Sequence, residues 1–435
     1  MLGQVAHVAP ALAIVALTCV AVNAMAQVDA TQLLQLGADR VKSNAAALRR
    51  LTCEEQTSRE LYLPPKDVGS AGGSKGVTNS STVLPLPALM SASVQERKLL
   101  WTDRLRVELS LFEGKDMFSW PDGGTFNSGS LDSLVRFGAT LSGVLGAFDL
   151  SVLMDDVNPN VFRYKQTFQS RGATVAEYTY SVSPEKSHLM IPGATGQITS
   201  IPYDGFFLLD ASSGDLRRLA IELRDFPAGA DLAQGAISTD YAQRLINDTP
   251  SFVPVSSTMR LLFRNGELAA NSMQYSNCHE FRAESTLRFN SVPESSGAEK
   301  AQAILQSLPP GVGKDRLVKL ALNAPIDSDT AMTGDPIQAH VTKAVKGKSG
   351  RVVIPAGTIA QGRILRLVKY SYPFDVVELI VSFDALKIGG DTVTVHLSPP
   401  ENHESESGTP QSPQMIQNSR VPFGRQTASP AFTVR

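Results

Sequence analysis

Hydrophobic and polar positions alternate along most of this chain, and the alternation is densest between residues 104 and 224. Residues 106–112 alternate, as do 117–120, 161–168 and 175–182, the last with Tyr178 and Tyr180 on one face. Residues 205–210 and 216–223 complete the set. A period of two with aromatics, bounded by Gly, Pro, Asn and Asp, predicts a β-meander with one buried face. One run breaks the period. Residues 131–154 are too long for a strand, and Leu131, Leu134, Val135, Leu141, Val144, Leu145, Phe148 and Val152 fall at three- and four-residue spacings. That spacing predicts a helix with an apolar stripe. Gly138, Gly143 and Gly146 lie within it, and each costs a helix about 1 kcal/mol relative to Ala. Such a helix is either a lid held by replaceable tertiary contacts or a core helix whose glycines permit close packing. In the lid reading, Leu134, Val135, Leu141, Val144, Leu145 and Phe148 form the ligand-binding face.

The remaining patterning places further elements around this meander. Residues 30–50 read as a helix with a stripe of Leu33, Leu34, Leu36, Val41, Ala45 and Leu48. Residues 51–62 read as a largely polar first strand, and 94–112 as a long second strand containing Trp101. Between them, 64–92 is rich in Gly, Ser and Pro and is expected to be a flexible loop. After a Gly/Ala-rich turn at 227–235, strands are expected at 237–246, 258–263 and 268–275, with 278–289 closing the domain. Asn265-Gly266 predicts a tight hairpin with positive φ at both central positions.

Residues 291–316 are expected to be a linker with a short helix at 298–308, stopped by Pro309-Pro310-Gly311. Residues 317–398 are nearly all strand, with turns at Pro355-Ala356-Gly357 and Gly389-Gly390-Asp391, which predicts a small barrel or sandwich. Residues 399–435 are rich in Ser, Pro, Gln and Glu and are expected to be disordered. The fold class is therefore α+β and β-rich, with a first domain over 27–290 and a second over 317–398.

Composition narrows the function classes. Charged residues make up 19% and apolar ones 42% of the 435 residues, an ordinary globular balance. The net charge of −2 gives no electrostatic case for nucleic acid. Lys343, Lys346, Lys348 and Arg351 are the nearest thing to a basic cluster and read as a solvated hairpin edge. Residues 8–22 are almost wholly apolar and precede Ala24-Met25-Ala26, a small-x-small signal-peptidase site. The run falls short of the roughly 20 residues that span a bilayer. Residues 1–26 therefore predict export to the periplasm or outer membrane, although His7 is the only basic side chain ahead of the apolar run. The processed chain keeps Cys53 and Cys278, and an even count in an exported protein predicts a disulfide, against two buried thiols.

No catalytic constellation emerges. His188, His279, His340, His396 and His403 show no metal-ligand spacing. Asp155-Asp156 and Asp327-Ser328-Asp329 lie beside Pro, Asn or Ser, where Asp bonds turn amides. Gly347-Lys348-Ser349 lacks the leading Gly of a phosphate loop, and no serine sits in a nucleophile elbow. No enzyme activity, metal or cofactor is expected.

The order of helix, strand, long strand, apolar helix and meander, with Glu113-Gly114-Lys115-Asp116-Met117-Phe118-Ser119-Trp120, resembles the lipoprotein-carrier fold of LolA-like carriers and RseB-like stress sensors over residues 28–290. That resemblance implies an unclosed half-barrel lidded by helices, whose apolar face takes acyl chains. Gly334-Asp335-Pro336-Ile337-Gln338-Ala339, Val352-Val353-Ile354-Pro355-Ala356-Gly357-Thr358, Gly362 and Phe383 are similar to the small β-barrel of TrbI-like conjugative channel proteins. The helical antenna and Pro-rich part of that family have no counterpart here, so a borrowed envelope-binding module is the expectation. The leading expectation is non-catalytic binding of an apolar or amphipathic ligand, a lipid or lipoprotein. The alternative is an envelope scaffold that docks protein partners through two β regions.

Overall fold

The computed structural model describes residues 29–48, 51–65, 97–112, 115–121, 123, 126, 162–187, 189–192, 198–223, 225–227, 229–280, 317–347, 349–398 and 431–434. The segment 131–154, with all six residues of the expected ligand-binding face, lies outside them. So do residues 1–26, nearly all of the loop expected at 64–92, and the linker 291–316.

Helix α1 (Ala30–Leu48) is followed by β1 (Leu51–Tyr62), β2 (Leu99–Phe112), β3 (Lys115–Ser119), β4 (Arg163–Ser170) and β5 (Ala173–Val182). Then come β6 (Met190–Pro192), β7 (Ile198–Ser200), β8 (Tyr203–Asp210), β9 (Leu216–Leu223), β10 (Leu232–Ile246), β11 (Thr249–Phe263) and β12 (Leu268–Glu280). The second region holds β13 (Leu317–Leu322), β14 (Pro336–Val341), β15 (Val345–Lys346), β16 (Val352–Ile354), β17 (Ile359–Tyr370), β18 (Val376–Ile388), β19 (Asp391–Ser398) and β20 (Ala431–Val434). Asp29 caps α1: its carboxylate accepts the Thr31 amide at 2.9 Å.

The first region is an open antiparallel sheet in the order β2-β1-β12-β11-β10-β9-β8-β5-β4. Its inner face carries α1, whose Leu33 and Val41 join one core with Tyr178, Phe207, Leu219, Ile221, Ile237 and Met259. Contact there is close. A Cβ on Gly37 would meet Leu209 at 2.5 Å, and the turn residue Gly214, at φ +73°, lies 3.2 Å from the Gly37 amide by the same measure. In the second region, β14-β13-β20-β19-β18-β17 run in order, and β14 also pairs with β17. The six strands therefore form a ring around Val318, Leu320, Ala339, Val341, Ala360, Phe383, Leu386 and Leu397.

Several expectations are corrected. The two regions share one sheet, because β17 pairs with β2 through Val368–Asp103, Lys369–Thr102 and Tyr370–Trp101. Ala431–Val434, inside the tail expected to be disordered, forms β20 between β13 and β19. Its Ala-Phe-Thr-Val is a short β-forming stretch that the surrounding composition outweighed. Strand β10 begins at Leu232, within the expected turn. Gly235 there has Leu223 and Leu261 side chains packed where its Cβ would be, so its smallness serves strand packing. Strand β11 begins at Thr249 after a turn in which Asn247 and Asp248 have φ of 47° and 61°. That is a two-residue primed turn without glycine. Pro254 sits at the register shift between Asp240 and Tyr241, where a missing amide is tolerated. At Asn265-Gly266 only Gly266 has positive φ, and Phe263 bonds both Gly266 and Glu267, so the turn is a three-residue loop with a bulge. Strand β12 runs unbroken through Cys278 to Glu280.

Cys53 and Cys278 are joined across neighbouring strands β1 and β12, with Cα atoms 4.1 Å apart. Pairing skips a residue between Thr52 and Glu54, and this irregularity carries the bridge. The bridge spans 225 residues, and closing a loop of that size restricts the unfolded chain by about 5 kcal/mol in the entropy account.

At Gly334 the two regions touch closely. Its φ is +101°, and a Cβ would lie 2.1 Å from the Arg106 carbonyl oxygen and 3.1 Å from the Trp120 ring. Gly334→Ala is expected to lower the stability of the whole chain in urea by about 2 kcal/mol or more, since it adds backbone strain to a clash with main chain. Gly350, at φ +76° with open space around it, is the control and should cost only about 1 kcal/mol. Equal midpoints for the two variants would show that the junction is not tightly packed.

Candidate functional site

The inner face of the sheet changes chemistry from one side to the other. Register connects Thr57 to Met273, then Ser257, Thr239, Leu219, Phe207 and Tyr178 in one row across seven strands. The adjacent row runs Arg59, Asn271, Met259, Ile237, Ile221, Gly205 and Tyr180. The side chains in both rows are buried. Each row begins polar at β1 and ends aromatic at β5.

At the aromatic end, Tyr178 stacks on Phe207 with centroids 5.3 Å apart and planes 10° apart. Tyr180 lies over Gly205, where a Cβ would sit 2.4 Å from its hydroxyl oxygen, and donates to the Ala220 carbonyl at 2.9 Å. Tyr178 donates to the Ala30 carbonyl of α1 at 2.6 Å. Phenol hydroxyls thus satisfy backbone carbonyls and leave the ring faces as apolar surface.

At the polar end, Arg59 is fully buried and grips Asp103 of β2 with two bonds, Nε to Oδ1 at 2.9 Å and Nη2 to Oδ2 at 2.5 Å. Its guanidinium carbon also lies 5.8 Å from the Trp101 ring centre. Burial raises the Asp103 carboxyl above its ordinary range, opposed by the bonds and charge of Arg59 and by Arg366 of β17. Glu55, one step along β1, accepts from Thr57 Oγ1 at 2.5 Å, while its Oε2 is buried without a hydrogen-bond partner. Thr239 and Ser257 share a hydrogen bond of 2.9 Å in the middle of the row. Burial pushes the Glu55 pKa up from 4.5 to about 7, opposed by the Thr57 bond and aided by Asp116 on β3. This set offers a fixed cation with its counter-ion, a proton-bearing carboxyl near neutrality and hydroxyl groups. Its hydroxyl–carboxylate contact, Thr57 on Glu55, is buried.

Of the residues expected from sequence, the structure brings Cys53 and Cys278 together. Leu134, Val135, Leu141, Val144, Leu145 and Phe148 lie outside the described residues, as do Asp155 and Asp156. Asp327 caps a turn by accepting the Asp329 amide at 2.8 Å, and Asp329 pairs with Lys369. His279 and His340 bond Asn277 and Asn323 in exposed positions. Among the described residues, no three His, Cys, Asp or Glu side chains cluster as metal ligands. Glu55, Thr57, Arg59 and Asp103 escaped the sequence reading, which assigned β1 no face. Their signal was the phase of Cys53: with that side chain bonded inside, alternation sends 55, 57 and 59 inside as well.

No family model matches the chain, and no curated protein matches it. Among solved structures it aligns with a proposed outer membrane lipoprotein-sorting protein domain from Vibrio parahaemolyticus at 12% identity, over 59% of this chain and 95% of that one, with a TM-score of 0.26. It also aligns with a LolA superfamily protein from Nitrosomonas europaea at 8% identity, over 56% and 93%, with a TM-score of 0.23. A DUF1329 family protein from Desulfovibrio piger aligns at 11% identity, over 59% and 97%, with a TM-score of 0.25. Each alignment takes in more than nine-tenths of the other protein and under three-fifths of this chain, whose inner face has the geometry given above.

That geometry makes Glu55 testable. Between pH 4.5 and 7 the folded chain holds a proton there that the unfolded chain has released. This contribution to stability is fully present below pH 4.5 and is lost as pH rises through about 7. Glu55→Gln should therefore be more stable than wild type at pH 8, by up to about 3 kcal/mol, with the difference shrinking toward pH 4.5. Parallel urea midpoints for the two proteins across that window would refute the assignment.

Proposed function

We propose that this chain is a non-catalytic, exported binding protein for an amphipathic ligand, a lipid or the lipid-bearing end of a lipoprotein. The observation that carries the reading is the pair of rows across the inner face. An acyl chain matches the Tyr178, Phe207, Leu219 and Ile221 end, and a polar head matches Arg59, Thr57 and the protonated form of Glu55. The segment with Leu134, Val135, Leu141, Val144, Leu145 and Phe148 is proposed as the lid whose contacts the ligand replaces. Export is supported by the apolar leader ending in Ala24-Met25-Ala26 and by the Cys53–Cys278 bridge, which suits an oxidising compartment.

A second reading has its own observation. Every side chain named in the two rows is already buried, and α1 packs on the same face. If that packing is permanent, the inner face is core, and the protein is an envelope scaffold that docks protein partners.

Native mass spectrometry of protein purified from its own envelope should show an added lipid mass that delipidation removes. The delipidated protein should then bind a fluorescent fatty acid, and Leu141→Ala and Leu145→Ala should change that affinity more than they change the unfolding midpoint. Core positions would instead lose about 2–5 kcal/mol of stability each and leave affinity unaltered in the folded fraction. A bare chain mass together with a probe that never binds would favour the scaffold.

A further inference from the structure

The end of the β-ring opposite the β17–β18 connection gathers basic side chains from separate parts of the sequence. The ends of β14 and β18 and the starts of β13 and β17 meet there, since the Thr342 amide donates to the Lys319 carbonyl and Ile359 pairs with both His340 and Lys387. The β15–β16 hairpin projects from the same end and pairs Lys346 with Val352. Lys319, Lys343, Lys346, Arg351 and Lys387 are all exposed. The acidic residue described at this end is Asp391, in the β18–β19 turn. Two apolar side chains stand among these cations: Leu317 is 50% exposed and Val352 52% exposed. An overall charge of −2 hides this local excess.

We propose that this end of the ring docks on an anionic lipid surface. A set of cations with protruding aliphatic side chains matches a membrane interface, where phosphates face the lysines and the aliphatic groups enter the headgroup boundary. Each Lys or Arg held near such a surface strengthens binding about fivefold, and the attraction fades within a Debye length. An acidic protein partner would use the same cations but would gain nothing from Leu317 and Val352 reaching into a fluid apolar layer. The site is far in sequence from the inner-face rows and stands independently of the carrier reading.

The test is flotation of the full chain with vesicles of phosphatidylcholine alone or with one-third phosphatidylglycerol. The protein should float with the anionic vesicles at low salt, remain behind with the zwitterionic ones, and dissociate as salt is raised. Lys343→Gln, Lys346→Gln and Arg351→Gln combined should weaken partitioning about a hundredfold while leaving the unfolding midpoint in place. Val352→Ser alone should weaken it several-fold at constant charge. Equal flotation with both vesicle types, or an unchanged triple variant, would overturn the proposal. Binding to polyglutamate that matches vesicle binding and ignores Val352→Ser would overturn the lipid assignment in favour of an acidic polypeptide. Fatty-acid binding by the triple variant without vesicles separates the two readings, because its loss would count against the carrier reading alone.

Discussion

Strand β2 must satisfy hydrogen bonds along both of its edges, and the arrangement of the chain follows from how it does so. One edge is taken by β1 along nearly its whole length. The other is divided among three partners. β17 pairs with residues 101–103, the segment around Thr333 pairs with Arg104 and Arg106, and β3 pairs with residues 108–112. The middle partner is short but well held. The Arg106 amide donates to the Thr333 carbonyl at 2.8 Å, and the Thr333 amide to the Arg104 carbonyl at 2.9 Å. Thr333 Oγ1 then accepts the Leu367 amide at 3.0 Å, tying the segment to β17. An edge left open here would be a long template for pairing with other chains.

That constraint explains what was legible in the sequence and what was not. Strands β1, β13 and β19 carry a period of two in their residues, and their positions follow from it. The two-residue turn at Gly389-Gly390, with φ of 61° and 98°, was equally plain. The Asn247-Asp248 turn was not, although both residue types tolerate positive φ, because Pro250 and Pro254 mark the following strand as broken. Pairing between β2 and β17 left no trace at all. Residues 101 and 370 lie far apart in the chain, and nothing in alternation says which edge a strand will choose. The polar rows were half legible, since alternation defines two faces but only the partner of Cys53 shows which one is inside.

Burying Arg59, Asp103 and Glu55 is an expensive way to build a core. An ion pair in a well-packed interior is often no better than apolar side chains of equal volume. Glu55 adds a carboxyl oxygen with no hydrogen-bond partner, a cost of about 1–3 kcal/mol that a Leu or Met would avoid. The aromatic half of the same face, through Tyr178, Phe207 and Leu219, shows that the fold can fill this surface with apolar groups. A polar patch continuous with it is therefore a chemical specification that stability alone does not require.

The same patch ties the two regions together more firmly than their sequence separation suggests. Asp103, the counter-ion of Arg59, sits opposite Val368 of β17, and Arg366 of that strand acts on its charge. Arg366 in turn pairs with Glu378 of β18 at 3.0 Å. On the other side of β2, Arg106 reaches Glu54 of β1 and Asp335 beside β14, each at 3.4 Å. Cutting the chain between 280 and 317 would thus remove a flanking strand and a nearby cation from a buried carboxylate, and strip Arg106 of Asp335. Each β region keeps its own apolar core, and one sheet runs through both by way of the β2–β17 pairing.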